Sequence, residues 1–313
     1  MSEPRVFLVS GATGLVGRRL VARLLGDGAV VRALTRDLRA ASSVLDPQVL
    51  LVRWDGAQVP VDAVNGTDAV VHLAGEPIFG GRLTASRRSR IRASRVDTTR
   101  TLVRATSALR EADRPEVLVC ASAVGIYGDR GEEALGEDAA PGRGFLAELC
   151  CDWEKEARAG EAHGVRAVPL RIGVVLARDG GALRPLARSF RLGLGGRLGS
   201  GRQWFPWIQV DDLVELIRAA VRDPGYRGPL NAVSPHPVRN RELAHCLARQ
   251  LRRPALLPVP ALALRAVLGE LAEELLASRR VVPRSALDRG FSFRHESLES
   301  ALAAELGKPG PSR

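Results

Sequence analysis

The run VFLVSGATGLVGRRLVARLLGDGAVVRALTRD, Val6 to Asp37, decides the fold of this chain. Apolar residues lead straight into Gly11, Gly14 and Gly17, and an amphipathic stretch follows with Leu20, Leu24 and Leu25 at helical spacing. A strand that ends in glycines and enters a helix leaves the first helical N–H groups unpaired and aimed at one spot, which attracts a diphosphate. Gly11 suits the tight turn, Gly14 lets backbone approach phosphate, and Gly17 lets helix and strand pack closely. Thr13, Leu15 and Val16 fill the same turn. Glycines alone also fit a turn without a ligand; the second strand, Ala29 to Thr35, favours the dinucleotide reading.

Outward from that run, strand-like segments recur at Val30–Thr35, Leu50–Trp54, Ala69–Ala74, Val117–Ser122 and Arg166–Leu176, with helical stretches between them. Such alternation predicts an α/β fold, a Rossmann-type doubly wound parallel sheet with a smaller mixed C-terminal lobe. Residues 1–177 read as the nucleotide-binding core and 178–308 as a lobe interleaved with it, leaving 309–313 as a tail. In the lobe the glycine-rich stretch from Arg191 to Leu213 reads as a long loop and a short strand. Helices are predicted at Leu213–Val221, Arg241–Gln250, Ala261 to about Ala277, and Leu298–Leu306.

Ligands on such sheets bind beyond the carboxyl ends of the strands, so the residues there carry the coenzyme expectations. After the second strand come Thr35 and Arg36, with no acid before Asp37. A guanidinium suits a 2′-phosphate where an acid would suit a 2′-hydroxyl, so NADP(H) is favoured over NAD(H). Asp55 could accept from the adenine amino group. Leu73, Ala74 and Gly75 end the fourth strand, where small side chains let a coenzyme lie close.

The chain has 313 residues, 45% hydrophobic and 26% charged, with a formal charge of +11. All basic residues except Lys155 and Lys308 are arginine, spread along the chain among acids, so the charge does not form a nucleic-acid stripe. Cys120, Cys150, Cys151 and Cys246 show no metal spacing, and no metal site is expected. No run of eighteen apolar residues occurs and the N-terminus goes directly into a strand, so a cytoplasmic protein without a membrane partner is expected. The expected partner is a small molecule, and the assembly is a monomer or homodimer.

GATGLVG, the strand ending VVHLAG, and SAVGIYG (Ser122–Gly128) resemble the pattern of extended short-chain dehydrogenases/reductases. SAVGIYGDRGEE, GFLAELCCDWEKEA, LRIGVVLARDGGAL, GGRLGSGRQWFPWIQVDDL, GPLNAVSPHPVRNRELA and VVPRSALDRGFSF narrow the likeness to the atypical "epimerase family protein" group, with its characteristic C-terminal extension. The resemblance implies that Arg171 and Gly173 border the nicotinamide. It also implies a Tyr-x-x-x-Lys pair, but the matching positions are Phe145 and Leu149. A shift by one gives Leu146 and Cys150. The usual Ser/Thr position is Ala123, with Ser122 one place off.

Ser122 and Tyr127 are therefore the catalytic candidates, with Glu148 and Asp152 near them. Ile91, Arg95, Thr98 and Leu102 fall on one helical stripe, so Arg95 needs an anionic partner: a coenzyme phosphate, a substrate carboxylate, or an acid of the protein. Arg202, Gln203, Trp204 and Trp207 form either a lid over a substrate or a seal between lobes. Asp211 and Asp212 read as a helix N-cap. Two functions stay open: an NADP(H)-dependent oxidoreductase or epimerase-like enzyme with an unusual proton relay, and a catalytically silent NADP(H)-binding sensor.

Overall fold

The computed structural model describes residues 4–79, 81–255 and 257–307; the expected tail at 309–313 lies outside the described residues. The strands are β1 (Val6–Ser10), β2 (Val30–Thr35), β3 (Leu50–Arg53), β4 (Ala69–His72), β5 (Val117–Ala123), β6 (Ala134–Leu135), β7 (Arg166–Ile172), β8 (Val174–Ala177), β9 (Gly180–Gly181), β10 (Trp204–Phe205), β11 (Trp207–Gln209), β12 (Leu230–Ala232), β13 (Val238–Arg239) and β14 (Arg280–Val281). The helices are α1 (Leu15–Gly26), α2 (Leu38–Ser42), α3 (Val61–Val64), α4 (Ala85–Arg92), α5 (Thr98–Ser107), α6 (Phe145–Arg158), α7 (Leu183–Arg191), α8 (Val210–Arg222), α9 (Asn240–Leu251), α10 (Ala261–Leu268), α11 (Leu271–Leu276), α12 (Arg284–Asp288) and α13 (Leu298–Leu306).

Seven parallel strands form the main sheet in the order β12-β7-β5-β4-β1-β2-β3. Side chains alternate between two cores, one on each face: Phe7 and Val9 enter one, Leu8 the other. Val117 and Val119 face the first, Leu118 and Cys120 the second. Burial on both faces explains the near-continuous apolar runs. The chain winds from β1 toward β3 and then from β4 toward β12, so strand order reverses between β1 and β4. A crevice opens beyond the carboxyl ends at that reversal, where ligands bind in this architecture.

Three expectations need correction. The run Arg166–Leu176 is two strands, because Gly173 changes partners. Its N–H donates to Ala232 O at 3.0 Å, while Val174 N–H donates to Pro206 O at 2.8 Å. β8 thereby leaves the main sheet and pairs with β11 and β9. The helix expected from Ala261 to Ala277 is also two, broken at Gly269 in the left-handed region at φ +60°. The cap of α8 is Gln209, whose side-chain oxygen accepts from Asp211 N–H (2.6 Å) and Asp212 N–H (3.1 Å). Asp212 instead accepts from the backbone N–H groups of Arg294 and His295 (2.7 and 2.9 Å), tying down the C-terminal segment.

The later half builds its own core, with Leu183, Phe190, Trp207, Leu247 and Leu302 packed together. It remains stitched to the first half: β12 completes the main sheet and β14 pairs with β6.

Candidate active site

The glycine-rich turn is built by backbone contact. Gly11 adopts φ +70°, and a Cβ there would lie 2.7 Å from the carbonyl carbon of Leu73. A Cβ on Gly17 would lie 2.2 Å from Gly11 O, so helix, turn and β4 end touch without side chains. α1 starts after Gly14 with no side-chain cap, and Thr13 and Gly14 are exposed. The N–H groups of Leu15, Val16 and Gly17 thus face the crevice as a phosphate would require. This arrangement fits a dinucleotide diphosphate.

At the end of β2, the Thr35 hydroxyl donates to Asp37 O at 3.1 Å, and Asp37 caps α2 by accepting from Arg39 and Ala40 N–H. Asp37 is thereby occupied, whereas Arg36 is exposed and has no ion pair among the described residues. Asp55 is exposed and accepts from Ala57 N–H at 2.9 Å within its turn.

Beyond the ends of β4 and β5 lies a cavity of about 200 Å³ bounded by Leu73, Ala74, Gly75, Arg95, Ser122 and α6. Helix α6 presents Leu146, Leu149, Cys150 and Trp153 to it. Of the two candidate pairs spaced four apart, Leu146 and Cys150 both line the cavity. Phe145 does not; it packs beneath Arg88, 5.2 Å from ring centroid to guanidinium. The face that would carry Tyr and Lys therefore presents Leu146, Leu149 and Cys150, so neither register supplies the pair. Burial pushes the Cys150 thiol up to about 12, so it is protonated at neutral pH.

His72, fully buried below the cavity, is pulled down to about 3 by burial and by the nearby Arg95 charge. The Thr98 hydroxyl donates to Ser94 O, so His72 Nε2–H donates to Thr98 and its Nδ1 accepts from Ser10 at 2.5 Å. This neutral ring pins the β4 end beside the glycine turn.

Arg95 sits on a π-helical turn (Ala93–Asp97) between α4 and α5, 8% exposed, with its guanidinium 5.3 Å from the Trp153 ring centroid. Its side-chain acceptors are Ile91 O at 3.4 Å and Ser94 Oγ at 3.2 Å. Glu76, the acid whose field reaches it, pairs with Arg90 instead. A protein carboxylate as its direct partner is thus excluded among the described residues.

Arg171 behaves differently: its side chain is held within the fold, so only its backbone is left to border a coenzyme. Its Nε and Nη2 donate to both oxygens of Glu154 at 2.9 and 3.0 Å, a fork-to-fork pair with both side chains buried. Its Nη1 donates to Tyr127 Oη (2.8 Å) and Glu137 O (2.9 Å). Tyr127 donates to Asn231 Oδ1 at 2.7 Å and is fully buried outside the cavity. Its ring is a strut rather than a proton donor to a ligand. Ser122 joins this network from the cavity wall, donating to Glu154 Oε1 at 2.7 Å.

The sequence model of the NAD dependent epimerase/dehydratase family matches residues 7–231. The chain belongs to this family. A second model, described as a domain of unknown function (DUF1731), matches residues 259–305. Among family members, the "Epimerase family protein SDR39U1 homolog, chloroplastic" of Arabidopsis thaliana is 41% identical over 95% of this chain and 85% of its own. The "Epimerase family protein YfhF" of Bacillus subtilis is 36% identical over 94% and 96%. The crystal structure of human epimerase family protein SDR39U1 (isoform2) with NADPH superposes with a TM-score of 0.84 at 31% identity, covering 96% of this chain and 99% of that one. The likeness to an atypical extended short-chain dehydrogenase/reductase is thereby borne out.

Within this family member, the remaining candidates scatter. Glu148 is exposed on α6, Asp152 pairs with Arg92 at 2.6 Å, and Arg202 is exposed. Gln203 is buried, donating to Leu198 O and Leu275 O. Trp204 donates to Glu132 (2.9 Å) with the Arg239 guanidinium 4.3 Å from its ring centroid, and Trp207 lies in the lobe core. The loop therefore seals the lobe, which corrects the lid reading. Gly173 is held where a Cβ would lie 2.9 Å from Pro206 O. The residues that sequence reading passed over are Glu154 and Asn231. Glu154 falls on the buried stripe of α6 with Leu146, Leu149, Cys150, Trp153 and Ala157, a signal visible in the sequence. Among the described residues no cluster of His, Cys, Asp or Glu could hold a metal, and no helix is long and apolar enough to cross a membrane.

Proposed function

We propose that this protein is an NADP(H)-dependent oxidoreductase or epimerase-like enzyme that acts on a small anionic molecule without a Tyr-x-x-x-Lys relay. The observation that carries the reading is the cavity at the sheet's carboxyl edge, flanked by the uncapped glycine turn and walled by Ser122. Gly11, Gly14 and Gly17, with the N–H groups of Leu15 and Val16, would hold the diphosphate. Arg36, exposed beside Thr35, would meet a 2′-phosphate, and Ala74 and Gly75 would lie against the nicotinamide half. NADPH in the human relative supports the same choice. When bound, the coenzyme supplies the hydride donor or acceptor. For the proton, Ser122 is placed to relay it: as Oγ takes the proton of a ligand hydroxyl at the cavity, its own proton passes to Glu154 Oε1 along the 2.7 Å hydrogen bond.

The second reading is a silent NADP(H) sensor, favoured by Leu146 and Cys150 where the relay pair would stand. Calorimetry tests the shared premise: NADPH binds more tightly than NADH by about 10- to 100-fold, the worth of one charge-assisted pair. Arg36→Asp reverses that preference. A protein that takes up no NADPH, or favours NADH, overturns both readings. Turnover of any carbonyl from a broad panel with NADPH decides for the enzyme, and its absence for the sensor.

A further inference from the structure

Six arginines are buried among the described residues, and in five both terminal nitrogens or the Nε donate to carbonyls or carboxylates drawn from other elements or turns. Arg87 donates to the carbonyls of Pro77, Ile78 and Gly81, and Arg166 to those of Ala220, Val221 and Tyr226. Arg171 has Glu154, Arg218 has Asp27 and Glu215, and Arg279 has Gly128 O and Glu274. Arg95 is the sixth. Its acceptors are two weak contacts on one nitrogen, at 3.4 and 3.2 Å, and it faces the cavity. A buried guanidinium without an anion is costly, so the site is complete only when a ligand brings the charge.

The surroundings describe that ligand. We infer that Arg95 anchors a substrate carboxylate, and that the cavity takes a short 2-oxo or 2-hydroxy acid whose reacting oxygen faces Ser122. This deepens the proposed function and rests on it for the chemistry, though not for the binding. The π-helical turn that carries Arg95 is held by Thr98 and Thr99, whose hydroxyls donate to Ser94 O at 2.8 Å and to Arg95 O at 2.6 Å. Such turns recur at functional sites. Gly75 leaves room for the cation, since a Cβ there would lie 3.1 Å from Arg95 Cζ. Opposite stand Leu146, Leu149 and Ile172, walls for a short hydrocarbon. A volume of 200 Å³ is below the range of about 300–1,000 Å³ that encloses larger ligands, which disfavours a nucleoside diphosphate here. Gly11, Gly14 and Gly17 do not line the cavity, so the diphosphate position is separate from Arg95.

The test titrates the full chain, with and without NADP+, with a series of straight-chain 2-oxo and 2-hydroxy acids from glyoxylate to 2-oxohexanoate, each beside its methyl ester. At least one acid is expected to bind more than about tenfold tighter than its ester. Arg95→Met abolishes that preference and leaves NADPH affinity within about threefold of the parent; Arg95→Lys keeps part of the preference. Equal binding of acids and esters, or no binding across the series, overturns the inference. So does a loss of NADPH affinity beyond about tenfold in Arg95→Met, which would assign the guanidinium to a coenzyme phosphate. Should the Met variant fail to fold, the acid-to-ester comparison in the parent and in Arg95→Lys still decides. Absence of NADPH binding alone sinks the proposed function and leaves the acid titration without coenzyme to be judged separately.

Discussion

Arg95 and Arg171 lie near the same edge of one sheet, and both were candidates for the coenzyme. They are almost equally buried, at 8% and 6% exposure. Arg171 meets Glu154 fork to fork and steadies Tyr127, so its charge is spent on holding β7, α6 and β12 together. Arg95 has an aromatic face beneath it and no acid beside it among the described residues. Burial and residue type are therefore the same in both places, and only the partner separates scaffold from site. A guanidinium whose donors the protein has already engaged is architecture; one whose donors it has left mostly free beside a cavity is an invitation to an anion.

The difference has a measurable consequence in stability, and the largest effect belongs to Arg171. Replacing it with Met leaves Glu154 buried and uncompensated, and also deprives Tyr127 of a donor. Denaturant unfolding should show a loss of about 3–5 kcal/mol, the usual cost of breaking one side of a buried pair. A loss under about 1 kcal/mol would mean that the network does not hold the sheet edge.

Why one arginine could be told from the other only in the structure is a matter of long-range partners. Val6–Asp37 encodes its own strand, turn and helix, so the glycine cradle could be read locally, as could the alternation of strands and helices that makes the sheet parallel. Glu154 lies seventeen residues from Arg171 and on a different element. Nothing in the local pattern announces that pairing. The α6 stripe does mark Glu154 as buried, and a buried acid demands a cation, but the stripe does not say which one. Gly173 was unreadable for another reason: the apolar character of Arg166–Leu176 is continuous, and only the switch from Ala232 to Pro206 as hydrogen-bond partner splits it. Trp207 could be read as a lid or as a seal because aromatics cluster there; the lobe core that covers it is assembled from α7, α9 and α13, a grouping the local pattern does not announce.

A second, intermediate effect concerns pH and reaches Arg95 through His72. The ring is neutral in the folded protein and held down to about 3, against 6.5 for an ordinary histidine. Below pH 6.5 the unfolded chain takes up a proton that the folded one refuses. The contribution of His72 to stability is thus intact above pH 6.5 and falls as pH drops toward 3, at about 1.4 kcal/mol per pH unit. Between pH 6.5 and 4.5 that amounts to roughly 2–3 kcal/mol. His72→Gln should flatten this part of the stability profile, measured by denaturant melts across the window. A variant with the parent's slope would show that other groups govern acid sensitivity. Because the Arg95 charge also opposes protonation of His72, Arg95→Met should leave the onset of the fall near pH 6.5 but end it at a higher pH, with a smaller total loss, although burial remains the larger cause.

The smallest effect is the most discriminating. Arg95→Met removes a buried charge that no protein acid balances and leaves a flexible apolar chain against Trp153, Leu146 and Leu149. The stacking on the Trp153 ring is lost, at about 1–2 kcal/mol for a desolvated cation. The desolvation cost of the guanidinium is relieved at the same time, and the two nearly cancel. Coenzyme-free unfolding should therefore place Arg95→Met within about 1 kcal/mol of the parent, in contrast to Arg171→Met. A loss comparable to that of Arg171→Met would mean that Arg95 is neutralised inside the fold after all, and the distinction between the two arginines would collapse. Stability near or above that of the parent would show that the protein bears the cost of Arg95 for something other than folding.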